Sequence, residues 1–221
     1  MSYRDRLCRR LAFTLAVPGI FRGVHNMLKR LSIAAAITAT ATAPAFAHLD
    51  PAAHGSLMAG VSHPLFGLDH ILAMLAVGLW AAQISASSGK RSALILVPAA
   101  FVGTMALGFA AAIAGMALPF VEPAILASVV ALGLLVAMAI RLPVVASAAV
   151  VAAFALFHGH AHGGELGAAG AVQFGIGFVL ATALLHMAGA ALGLAIGRLT
   201  PWATRIAGGL TALAGLSLAF G

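Results

Sequence analysis

The chain is 221 residues long, with 62% of them hydrophobic and only 8% charged, and its mean hydropathy is +1.09. So little polar material cannot cover a water-soluble domain of this size, which excludes an ordinary globular enzyme. The formal net charge of +7 does not mark a nucleic-acid surface: residues 1–47 hold seven basic residues against Asp5 alone, and the rest of the chain has five basic and four acidic groups.

In chain order, residues 1–26, with the lone Cys8, read as an upstream extension of the frame. Residues 27–47 read as a cleaved signal peptide: Lys29-Arg30 precede the apolar stretch Leu31–Ala43, and Ala45-Phe46-Ala47 has the small-x-small pattern of a cleavage site. The alternative is a further spanning helix, against which stand its short length, Pro44 and the interruptions at Ser32, Thr38, Thr40 and Thr42. Cleavage after Ala47 leaves His48 as the first residue of a mature part, 48–221, with no cysteine and hence no disulfide and no thiolate ligand.

That part is expected to be an all-α integral membrane bundle of six transmembrane helices, with spans near 65–85, 92–115, 120–140, 143–158, 170–197 and 202–220. Arg141-Leu142-Pro143 divides a run too long for one crossing. Lys90-Arg91, Arg141, Arg198 and Arg205 all fall in alternate loops, which makes that side cytoplasmic, and Asp50, Glu122 and Glu165 fall on the other. The expected location is therefore the bacterial inner membrane, with both mature termini outside. Trp80 and Trp202 are expected at the cytoplasmic interface. Gly189, Gly193 and Gly197 form two small-xxx-small steps, expected as an internal helix seam and, as a second reading, as the face of an oligomer.

Eight of the nine histidines follow the leader, and most lie near the outer side. The first cluster reads Ser62-His63-Pro64-Leu65-Phe66-Gly67-Leu68-Asp69-His70. With Pro64 as the first helical residue, seven steps of 100° bring His63 and His70 to within about 20° of one stripe, with Met74 a turn deeper. Asp69 lies about 100° round from His70 and serves as a second ligand or as an orienting partner. A lone intramembrane histidine is ordinarily a hydrogen-bonded packing residue, but an ionised carboxylate is rarely kept in a span without a partner.

The second cluster is Phe157-His158-Gly159-His160-Ala161-His162-Gly163-Gly164-Glu165. If the helix persists, His158, His162 and Glu165 share one face; Gly163-Gly164 allow a loop instead, which would group His158, His160 and His162. The bland alternative is a solvated polar loop. His186 lies deep in the fifth span and is either a relay ligand or a donor to a neighbouring carbonyl, and Glu122 is read as solvated. Imidazoles and carboxylates without thiolates favour Ni²⁺, Co²⁺, Zn²⁺ or Cu²⁺ over Cu⁺, Mg²⁺ and Ca²⁺. No phosphate-binding glycine loop is present, and uptake of a dication into a negative interior gains about 4.6 kcal/mol per 100 mV without a nucleotide.

The strings HPLFGLDHILAMLAVGLWA from His63 and FHGHAHGGE from Phe157 resemble the two signature motifs of the HupE/UreJ family of hydrogenase and urease accessory proteins, regarded as secondary nickel permeases. The resemblance implies uptake of Ni²⁺, or Co²⁺ in some members, as transported substrate with no organic cofactor. It implies His63, Asp69, His70, His158, His162 and Glu165 as functional positions, with His160 a weaker correspondence. His48 is a candidate first capture point and His186 a candidate relay. The competing class is an integral-membrane metalloenzyme, a hydrolase or hydroxylase, since His158-x3-His162 also suits a resident metal.

Overall fold

The computed structural model describes residues 56–166 and 170–221. The expected upstream extension, signal peptide, His48 and the outer Asp50 lie outside the described residues, as does the side chain of Glu165. All regular structure among the described residues is helical: α1 (Ser56–Phe66), α2 (Leu68–Ser88), α3 (Ala93–Ile113), α4 (Val121–Ala137), α5 (Val144–Leu166), α6 (Ala171–Leu199) and α7 (Pro201–Phe220). Five of these, α2, α3, α5, α6 and α7, are long and apolar enough to cross a membrane; α1 and α4 are shorter apolar helices. The chain is thus a multi-pass helical membrane protein.

The first expected span requires correction. Pro64 does not open it but lies inside α1, a separate short helix. Gly67 is extended, with φ −86° and ψ 113°, and caps the start of α2. His63 and His70 therefore stand on two helices rather than one stripe. A side chain at Gly67 would meet His70 Nδ1 at 2.8 Å and Asp69 Oδ1 at 2.9 Å, so the bare backbone at the break leaves room for that pair. The fourth span also differs: it continues past position 158 to Leu166, so the helical alternative for the second cluster holds.

Glycines set how closely the helices approach. Along α5, Gly159 and Gly163 face α3, where added side chains would collide with the Met105 and Phe109 carbonyls, and Gly108 of α3 meets Leu156 in return. Gly78 of α2 lies against the backbone of His186, and Gly189 and Gly193 of α6 lie against Leu75 and Leu79 of α2. Gly189 and Gly193 therefore lie in an internal seam, as the first reading expected, while Gly197 is exposed and a side-chain carbon added there would come within 3.7 Å of Thr204 Oγ1. Close approach of backbones is what gives one apolar helix a preference for another in lipid.

Trp80 corrects the expectation of an interfacial ring. It is fully buried, and its Nε1 donates to the Ile140 carbonyl at 2.9 Å. Gln83 Nε2 donates to Val136 O at 3.0 Å and Arg205 Nε to Ala137 O at 2.8 Å. Three side chains thus serve carbonyls at the end of α4 and in the turn after it, where the last helical carbonyls lack intrahelical donors; Val136 O also accepts from the Ala139 N–H at 3.1 Å. Trp202 is exposed. The bundle has a histidine end, where α1 ends, α2 starts and α5 ends, and an arginine end, where α4 joins α5 and α6 joins α7.

Candidate metal centre

At the histidine end the two remote motifs meet. His63 stands in the last turn of α1, His70 in the first turn of α2, and His158 and His162 one turn apart on α5. The His162 ring lies 4.3 Å from His63 and 4.6 Å from His70, centroid to centroid, and His158 lies 5.1 Å from His70. His70, His158 and His162 are buried. Their α5 stripe alternates with the glycine stripe: 158 and 162 face α2 while 159 and 163 let α3 close in.

The hydrogen bonds determine which nitrogens carry lone pairs. Asp69 Oδ1 accepts from His70 Nδ1 at 2.8 Å, which leaves His70 Nε2 as an acceptor in the neutral ring. His162 Nε2 lies 2.6 Å from it, so one proton is shared between two nitrogens where a cation could take its place. Ser128 Oγ gives its only proton to Ile125 O at 2.6 Å, so at 2.8 Å it accepts from His158 Nε2–H. His158 Nδ1 then carries a lone pair, is buried and has no partner. Asp69 thus orients His70 and Ser128 orients His158, the outer-shell pattern that tunes metal-ligating imidazoles.

Among the described residues, no three His, Cys, Asp or Glu side chains yet converge as a ready ligand set. The imidazoles are adjacent and oriented, but paired with one another. At a metal–nitrogen length of about 2.1 Å, two ligands at right angles lie about 3 Å apart, so the His70 and His162 rings need to part by roughly half an ångström. The donor set fits a borderline divalent transition ion on that adjustment.

Not every expected residue joins the cluster. His160 points away and shares a 2.7 Å hydrogen bond with the Met116 carbonyl in the α3–α4 loop; its place on α5, two residues from each neighbouring histidine, puts it on another face. His186 is fully buried, and neither ring nitrogen has a partner, so the reading as a donor to a nearby carbonyl does not hold. Phe101 links it to the cluster, 5.6 Å from His158 and 4.9 Å from His186. Glu122 is exposed in the first turn of α4, as expected.

Ser128, Phe101, Phe174 and Phe178 escaped the sequence reading. Phe174 stands 5.6 Å from His63 and Phe178 4.7 Å from His162, so two aromatic rings one turn apart on α6 wall the site. Their i, i+4 spacing was the available signal, though it is shared with any apolar helix.

These features define a class: multi-pass helical membrane proteins that gather oriented imidazoles and one carboxylate at one end of the bundle. The family described as HupE / UreJ protein matches residues 35–218. Protein HupE of Rhizobium leguminosarum bv. viciae is 48% identical over 179 residues, which cover 80% of this chain and 91% of that protein. The chain belongs to the HupE/UreJ family, as its two motifs indicated. No solved structure matches it.

Proposed function

We propose that the protein is a secondary permease that takes up Ni²⁺, with Co²⁺ as the nearest competitor, across the bacterial inner membrane, and is not an enzyme. The observation that carries this reading is the 2.6 Å approach of His70 Nε2 to His162 Nε2, across 92 positions of sequence. In this reading α4, at 17 residues, is the sixth crossing; it is at the lower end of what spans a bilayer. The histidine end faces outward and the arginine end faces the cytoplasm, in line with the bias of Lys and Arg.

The outer histidines, with His48 at the start of the mature chain, collect the hydrated ion. His63, His70, His158 and His162 then replace part of its water shell, with Glu165 completing the donor set. Asp69 holds His70 in the ligating tautomer and offsets the cation's charge. His186, beyond Phe101, is the next imidazole inward and receives the ion, which then leaves towards the cytoplasm. Several modest ligands suit transport, since a closed cage would not release its ion. His160 has no part in this path.

The test is purified protein in liposomes carrying an internal nickel-responsive dye. Nickel should enter faster with a negative-inside potential, and entry should fall as external pH is lowered, because protonation of an imidazole removes its lone pair. The sign follows from ligation needing the neutral ring: affinity falls as pH falls. Entry unchanged down to pH 5 contradicts histidine-limited capture, and stoichiometric, non-exchanging iron or zinc in protein that passes no nickel favours the metalloenzyme.

A further inference from the structure

At the arginine end, α2, the α4–α5 turn, α6 and α7 enclose a cavity of about 450 Å³ lined by Arg141, Arg198, Arg205, Gln83 and Thr204. That volume is ordinary for a small-ligand site. Among the described residues, Arg141 and Arg198 have no hydrogen-bonded or ion-paired partner. Arg205 is anchored by its bond to Ala137 O at 2.8 Å and stacks 4.5 Å from the Trp202 ring centre. The general bias of basic residues to one membrane side explains arginines on this face but not their meeting. Lys90 and Arg91 satisfy the same bias in the α2–α3 loop without lining the cavity.

Gln83 gives the second observation. Its Nε2 is committed to Val136 O, while its Oε1 is buried and has no partner. A buried acceptor left unmade is costly, and a bare anion held by the guanidiniums has no proton to give it. A phosphodiester that also carries a hydroxyl satisfies both: the phosphate answers the arginines and the hydroxyl answers Gln83. Next in sequence to Arg198 and stacked on Arg205, Leu199 and Trp202 are 83% and 64% exposed, an apolar and aromatic surface of the kind that suits a bilayer edge.

We propose that this cavity binds the headgroup of an anionic phosphoglycerol lipid, its phosphate between Arg141, Arg198 and Arg205 and a headgroup hydroxyl donating to Gln83 Oε1. Basic recesses between spanning helices on the cytoplasmic side suit such headgroups. The site is separate from the histidine cluster and does not depend on what that cluster carries.

Native mass spectrometry of the full-length protein, delipidated in detergent, tests this with four probes: phosphatidylglycerol, phosphatidylmethanol, phosphatidylcholine and inorganic phosphate. Phosphatidylglycerol should bind about tenfold or more tightly than phosphatidylcholine, with phosphatidylmethanol, anionic but lacking the hydroxyl, in between. The double variant Arg141→Gln/Arg198→Gln should lose the preference and keep its phosphatidylcholine binding and its elution volume; Arg205 is left in place because it serves the end of α4. Equal binding of phosphatidylglycerol and phosphatidylcholine, or a preference unchanged in the variant, overturns the proposal. Arginine-dependent binding of inorganic phosphate without any lipid preference also overturns it, in favour of a free-phosphate site.

Discussion

Replacing His70 with alanine is expected to reduce cellular ⁶³Ni accumulation to the level of cells without the protein, while the protein remains in the membrane at normal abundance. His70 touches every other member of the cluster: it shares a proton with His162 at 2.6 Å, meets His158 at 5.1 Å and carries the Asp69 carboxylate on its far nitrogen. Removing it takes away a ligand and strands the carboxylate, so the loss exceeds that of any single outer histidine. Asp69→Asn separates the two roles. The amide oxygen can still accept from His70 Nδ1 but brings no charge, and the expected loss is the 10–100-fold typical of an outer-shell partner. Full accumulation by His70→Ala would remove the first motif from the transport path.

The second large effect is on assembly, and it arises from the same motif. Gly159→Leu should remove most of the monodisperse protein from a detergent extract, and Gly159→Ala should lower the thermal midpoint clearly. A side chain there collides with the backbone carbonyl of Met105, which cannot rotate away, and overpacking of this kind costs about 1–3 kcal/mol or more. Gly103→Ala on α3 is the matched control: nothing lies within 4 Å of the added carbon, and exchange of glycine for alanine within a helix is favourable by about 1 kcal/mol. The two variants should shift the midpoint in opposite directions. A normal midpoint for Gly159→Ala would mean that the α3–α5 seam is looser than its geometry.

The FHGHAHGGE string therefore holds two interleaved functions, and only one was legible in the sequence. Histidines four apart advertise a ligand face by chemistry alone, whereas Gly159 and Gly163 acquire meaning only against α3. Gly163-Gly164 favour a loop by local propensity, yet α5 runs on to Leu166 because the missing side chain at Gly163 is what lets it close on Phe109. Tertiary packing overrode propensity. The converse happened at Gly67, where Pro64 as a helix start suggested one helix through His70 and the extended backbone of Gly67 makes two. Five of the expected spans were readable because apolar length is a local property. So was the gathering of both motifs at one end, since the lysines and arginines order the loops without any knowledge of the fold. Trp80 and Ser128 were not readable, as each serves a partner, Ile140 O or His158, that only the folded bundle brings near.

The central claim is that one cation is held by both motifs together, and nickel X-ray absorption on the loaded, purified protein measures this. The account predicts at least three imidazoles at about 2.1 Å in the unaltered protein. It also predicts that His70→Ala and His162→Ala each lower that number by one on the same single site. A nickel site that keeps its full imidazole count when either motif is changed would contradict it.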